Sequence, residues 1–216
     1  MLERKFTSYL TKFLTEERNK ILLVNGARQI GKSYLIRYVG RKLFSHFVEI
    51  NLKEDIEGDK VFADVRTTDD LYMRLSNYCP TPLGDNTDTL VFLDEIQSYP
   101  HLMTMLKFLN QESRYRFIAS GSQLGVALAQ TPSVPLGSVT IEQMYPLDFE
   151  EFLWATGVGK EWIANIRDCY LCRKSLDEST HNLLLKRFQY YLLVGGLPEA
   201  VNNYLADRNM VRVRKT

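Results

Sequence analysis

Residues 26–33 read Gly-Ala-Arg-Gln-Ile-Gly-Lys-Ser, and their flanks limit the fold more than any other stretch of the chain. Ahead of them runs Ile-Leu-Leu-Val at 21–24, short and apolar as a buried strand is. Behind them Leu35, Ile36, Val39 and Leu43 recur at the spacing of one helix face. Strand, glycine-bounded loop, Lys-Ser and helix form the P-loop, and each part has a physical task. A phosphate chain needs many donors at close range. Backbone N–H groups of Gly26, Ala27, Arg28, Gln29, Ile30 and Gly31, with those of Lys32, Ser33 and Tyr34 at the helix start, can supply them beside a positive helix end. Gly26 and Gly31 permit conformations and close approaches that a Cβ would block. Lys32 is placed to neutralise outer phosphates, and the Ser33 hydroxyl to ligate Mg²⁺. A glycine turn capping an ordinary helix is the plain alternative, and the correct flanks count against it.

A second stretch, Thr-Leu-Val-Phe-Leu-Asp-Glu-Ile-Gln at 89–97, is a continuous apolar run that ends in two adjacent carboxylates. The run predicts a strand buried on both faces of a parallel sheet. Strand ends in such sheets open onto the ligand crevice, where acids are costly unless a cation or polar ligand meets them. Asp94 is therefore expected to hold Mg²⁺, and Glu95 to orient and polarise an attacking water. A further strand at 116–120 ends in Ser120-Gly121-Ser122. These hydroxyls are candidates for contact with the γ-phosphate or the water; Ser122 is equally a candidate cap for a helix at 123–129.

The remaining elements follow from periodicity. Residues 2–14 predict a helix with Arg4 and Lys5 on a solvated face. Strands are expected at 46–52 and 139–144, and helices around 69–75 and 102–109, with a polar segment after 52 and a turn-rich loop at 80–88. From Asp148, which is placed to cap a helix, the chain predicts only helices, at 161–171, 183–194 and 198–205, the last opened by Pro198. The expected architecture is α/β. A five-stranded parallel P-loop sheet flanked by helices (residues 1–147) precedes a small all-helical lid (148–216).

The net charge of +1 gives no reason to expect nucleic acid or an anionic membrane as partner, and no apolar run reaches membrane-spanning length. Cys169 and Cys172 form a single C-x-x-C without a second pair. They read as two thiols on one helix face in a reducing cytoplasm. No Asn-Lys-x-Asp guanine-reading motif is present, which argues against a GTPase.

Taken with Val-Glu-Ile-Asn-Leu at 48–52, Leu-Asp-Glu-Ile-Gln at 93–97, Ile-Ala-Ser-Gly-Ser at 118–122, Tyr-Pro-Leu-Asp-Phe-Glu-Glu-Phe-Leu at 145–153 and Gly-Gly-Leu-Pro at 195–198, the P-loop resembles that of AAA-like ATPases of the archaeal-type group, relatives of the signal-transducing STAND ATPases. The resemblance covers about residues 1–205. It implies ATP and Mg²⁺, a strand inserted between the two Walker strands, and Gly196 and Pro198 near the adenine. Members of the group continue into a nuclease-like domain, so the chain is expected to be the ATPase half. Many carry an arginine finger where this sequence has Gly137-Ser138, so hydrolysis in isolation is expected to be slow. Arg114 and Arg116 are candidate substitutes, although surface arginines near a strand start are common. Neither a protein nor a DNA client is selected by the residues, and the resemblance admits a homo-oligomer. A nucleotide-gated switch with little intrinsic hydrolysis is the alternative to a turning-over ATPase.

Overall fold

The computed structural model describes residues 2–79, 82–122, 124 and 137–207. The described residues fall into two compact units, Phe6–Met144 and a second made of the amino-terminal end with Tyr145 onward.

The larger unit is built on five parallel strands in the order β2-β3-β4-β1-β5. These are β1 (Ile21–Asn25), β2 (His46–Asn51), β3 (Thr89–Asp94), β4 (Arg116–Gly121) and β5 (Val139–Gln143). The expected five-stranded parallel sheet is present, and β4 lies between β1 and β3 as the resemblance implied. Central strands β3 and β4 are buried at every position, which is why β3 reads as a continuous apolar run.

Strand alternation feeds two cores. Leu90 and Phe92 of β3 point into one, with Leu22, Val24 and Ile118. Helices α1 (Lys5–Glu16) and α2 (Lys32–Leu43) close that face with Leu10, Phe13, Leu35, Ile36 and Val39. Val91 and Leu93 point into the other, with Leu23, Phe117 and Ala119. This face is closed by α4 (Thr68–Tyr78) and α5 (Pro100–Glu112) through Leu71, Leu75, Leu102 and Leu106. The result is a three-layer α/β arrangement in which period-2 strands and period-3.6 helices share their apolar sides.

Two local expectations are corrected. Leu52 does not end β2; it opens a short helix, α3 (Leu52–Glu57). Asn51 stops the strand because its side chain accepts from the Lys53 and Glu54 N–H groups, a helix cap within what read as a polar segment. Asp55 then holds the Val61 and Phe62 amides and the Tyr99 hydroxyl, which lets Phe62 bury completely.

The second unit is helical: α6 (Phe149–Ala155), α7 (Lys160–Leu171), α8 (Glu178–Val194) and α9 (Pro198–Asp207). Its core is Leu147, Phe152, Val194, Ala200 and Val201. Asp148 caps α6 in a reciprocal box with Glu151. The expectation of a solvated Arg4 is overturned here. Arg4 is buried, pairs with the equally buried Glu151 at 3.2 Å, and donates to the Tyr145 carbonyl at 2.6 Å. Lys5 stays half exposed on Asp148 and Glu150. Cys169 lies near the end of α7 with Cys172 just beyond it, and both are unbridged. Among the described residues no helix is long and apolar enough to cross a membrane.

Candidate functional site

The loop between β1 and α2 is held by close packing at its first glycine. A Cβ on Gly26 would lie 2.5 Å from the Met144 carbonyl oxygen and 2.7 Å from Ile30 Cδ1, so only glycine fits. Gly31 takes a left-handed conformation, φ 92°, immediately before the first residue of α2. Gln29 also has a positive φ, 64°. Ile30 is fully buried beneath the loop, whereas Ala27, Arg28 and Tyr34 are exposed.

Lys32 turns its side chain back into the loop. Its ammonium donates to the carbonyls of Gly26 at 2.9 Å and Ala27 at 2.8 Å, and the side chain is buried. Burial pushes its pKa down, Glu95 and Asp94 oppose that, and Arg28 adds to it.

Parallel pairing brings the carboxyl ends of β1, β3 and β4 together, with Asn25 opposite Gly121 and Leu93 opposite Ala119. Ser33, one residue after the lysine, donates to Asp94 Oδ2 at 2.7 Å. Asp94 Oδ1 accepts from the Ser120 hydroxyl and, at 3.0 Å, from the Glu95 amide. The two sequence-distant motifs thus meet through Ser33 and Asp94. Glu95 is left-handed, φ 54° and ψ 47°, at the entrance of a 3₁₀ turn (Ile96–Ser98). Its Oε2 accepts from the Gln97 amide and, at 3.2 Å, from the Ser122 hydroxyl. Ser122 is thereby placed on Glu95; the helix it was weighed as capping, 123–129, lies outside the described residues.

Three participants take up contacts that the sequence did not assign to them. Gln97 reaches Glu95, and its buried Oε1 has no hydrogen-bond partner among the described residues. A Cβ on Gly121 would collide with that oxygen, so the glycine between the two serines makes room for the amide. Ser120 was noted only with Ser122, and its hydroxyl serves Asp94. Asn25 donates to Gln143 at 2.7 Å, accepts from the Leu124 amide at 3.2 Å, and receives the Met144 amide on its carbonyl at 2.8 Å. It fixes the rim from which the loop departs. The sequence signal for it was a polar residue ending an apolar run.

The arginine substitutes fall elsewhere. Arg116 is the first residue of β4, at the end of the strand remote from Gly121; it is buried and donates to the Glu17 carbonyl at 2.5 Å. Arg114 lies over the rings of Tyr72 and Tyr115. Pro198 opens α9 in the helical unit, two residues after Gly196, whose carbonyl accepts from the Leu147 amide.

A family model described as an AAA domain matches residues 18–153, more than half of the chain, from just before β1 into α6. The chain belongs to the AAA domain family. It is an AAA-like P-loop ATPase by family and fold. Among solved structures it is similar to a Walker-type ATPase of Pyrococcus abyssi, at 15% identity and a TM-score of 0.58, covering 100% of this chain and 71% of that one. It is also similar to AMPPCP-bound DnaA of Aquifex aeolicus, at 12% identity and a TM-score of 0.52, covering 92% of this chain and 58% of that one. At such identities the likeness is one of fold. No curated protein matches the chain.

Proposed function

We propose that this AAA domain binds ATP with Mg²⁺ in the Gly26–Ser33 loop and hydrolyses it, with Glu95 as the group that polarises the attacking water. The observation that carries the reading is the 2.7 Å contact between Ser33 and Asp94, beside a Glu95 held in left-handed backbone. Two hard oxygen donors at that separation suit Mg²⁺ by type. Mg²⁺ bound by Ser33 and Asp94 would neutralise charge shared by the outer phosphates. The chain's own groups do the rest. Loop N–H groups and the start of α2 orient the phosphates, Lys32 exchanges its two carbonyl acceptors for phosphate oxygens, and Glu95 takes up the proton of the water. Arg28 and Tyr34 are assigned to nucleotide contact through their backbone N–H groups, as part of the loop and helix start, and Gly196 and Pro198 on the strength of the resemblance alone. Three unbridged cysteines suit the reducing cytoplasm proposed as its compartment.

The test is single-turnover hydrolysis of ATP by the wild type and by Glu95→Gln. The expected loss is on the order of 100-fold or more with ATP affinity kept, since a positioned base contributes about 10²–10⁴. Equal rates would remove Glu95 from the chemistry.

A second reading has one observation of its own. Glu95 is already engaged by Gln97 and Ser122, a clasp that also suits a nucleotide-gated switch with slow turnover. ATP binding that stabilises the chain, with turnover that Glu95→Gln leaves unchanged, would favour the switch.

A further inference from the structure

The end of the sheet remote from the loop holds a cavity of about 230 Å³. It forms where β1 and β4 begin, where α1 and α2 finish, and beside residues 86–87 and the end of α5. Its charged lining is Arg18, Lys20 and Arg116, with no aspartate or glutamate, and Asn86, Asn110 and Ser113 add neutral polar groups. None of the three cations makes an ion pair within 4.0 Å among the described residues. Arg18 and Lys20 are exposed at the rim, but Arg116 is only 9% exposed. Arginine is almost never buried without a partner anion. Among the described residues its one hydrogen bond goes to the Glu17 carbonyl, at the end of α1, where a cation also suits the helix dipole. That contact uses one N–H of five and leaves the rest of the fork without an acceptor among the described residues. The Glu17 carboxylate is itself engaged by the Asn19 amide. Burial, and then the neighbouring Arg18, push the Arg116 pKa down, with Glu17 the weaker opposing influence.

We propose that this cavity is a second anion site, taking a small phosphate-class ligand on the fork of Arg116 between Arg18 and Lys20. The cavity is smaller than the roughly 300–1,000 Å³ of sites for drug-sized ligands, which fits an inorganic phosphate, a pyrophosphate or a short phosphomonoester rather than a nucleotide. A planar guanidinium suits two phosphate oxygens at once, and the two rim cations supply attraction without fixed geometry. The site is independent of what the P-loop binds, because β4 separates Arg116 from Gly121 by its whole length.

The probe is inorganic pyrophosphate, titrated calorimetrically into the full chain carrying Lys32→Ala, so that the loop's own anion affinity is weakened. One equivalent is expected to bind. Adding Arg18→Ala and Lys20→Ala should weaken it at least about tenfold, the scale of losing charged hydrogen bonds. Arg116→Lys should weaken it too while keeping the charge, with circular dichroism verifying the fold. No heat in the Lys32→Ala chain, or binding that the rim substitutions leave unchanged, would overturn the proposal. Phosphate against a phosphomonoester, run as separate titrations, distinguishes the source of the anion. Loss of ATP binding by the wild type would defeat the P-loop reading and leave this result standing.

Discussion

Gly26→Ala is the most direct test of how the loop is held. The new Cβ would sit 2.5 Å from the Met144 carbonyl oxygen. Carbon and oxygen in contact are about 3.3 Å apart, so one of them must move by roughly 1 Å. The carbonyl is poorly placed to yield. Met144 donates its amide to Asn25 at 2.8 Å, and its oxygen accepts from Gln143 at 3.2 Å, both part of the β1–β5 edge. Ile30 Cδ1, at 2.7 Å, is in a fully buried side chain that can rotate only by repacking the core under the loop. Overpacking of this kind costs about 1–3 kcal/mol, readable as a lowered urea midpoint with the slope unchanged. If the loop gives way instead, its N–H groups shift by a similar distance, and a misplacement of that size costs about 100-fold in rate. Urea melts and single-turnover hydrolysis together partition the strain between sheet edge and loop. Gly157→Ala is the control, because Gly157 has φ 86° and an added Cβ would meet nothing within 4 Å among the described residues, so its loss reports left-handed backbone alone, about 1–2 kcal/mol. Gly26→Ala protein with wild-type midpoint and wild-type turnover would refute the packing argument.

Gln97→Ala should lower kcat about tenfold with KM unchanged if the amide positions Glu95. A rise in kcat would instead mark the contact as a restraint, and an unchanged value would show that it does neither. Tyr99 gives an alkaline limb. Burial first, then its hydrogen bond to Asp55, push its pKa from 10.0 up to about 12. The folded state therefore keeps a proton that the unfolded state loses, so this stability is full below pH 10 and lost as pH rises from 10 through 12, and Tyr99→Phe should flatten that part of a stability–pH profile. Asp148→Ala removes the α6 capping box and should cost about 1 kcal/mol in thermal or urea melts; the half-exposed Lys5 partner adds little to that.

The strands were legible because their signals are local, whereas the place of β4 between β1 and β3 was implied only by the resemblance. An unbroken apolar run at 89–93 can be a strand buried on both faces, and the glycines at 26 and 31 mark a loop whatever surrounds them. What escaped depends on side-chain contacts that composition does not display, some of them with partners far away in the chain. Arg4 looks solvated beside Lys5, and its partners Tyr145 and Glu151 lie more than 140 residues on. Arg116 sits where surface arginines are common, yet α1 ends against it and supplies the Glu17 carbonyl. Asn51 reads as a polar strand end until its side chain is seen capping α3. Gln97 carries no composition signal at all; its amide reaches Glu95 two residues back, and β4, lying beside β3, leaves room for it at Gly121.

That adjacency also bears on the strain at Glu95. In a regular strand Asp94 and Glu95 would face opposite sides of the sheet, because side chains alternate. Ser120 lies within β4 and Ser122 just past its end. Both carboxylates meet a serine hydroxyl, and the left-handed Glu95, φ 54°, breaks the alternation at 95. A non-glycine residue there costs on the order of 1 kcal/mol, and strained backbone tends to collect at functional sites. Here the strain is offset by two hydroxyls and the Gln97 amide. Gly121, between the serines, is the residue whose missing Cβ admits that amide. Ser120, Gly121 and Ser122 thus act as one device, in which each serine holds one acid and the glycine admits the side chain that holds Glu95 from the other side.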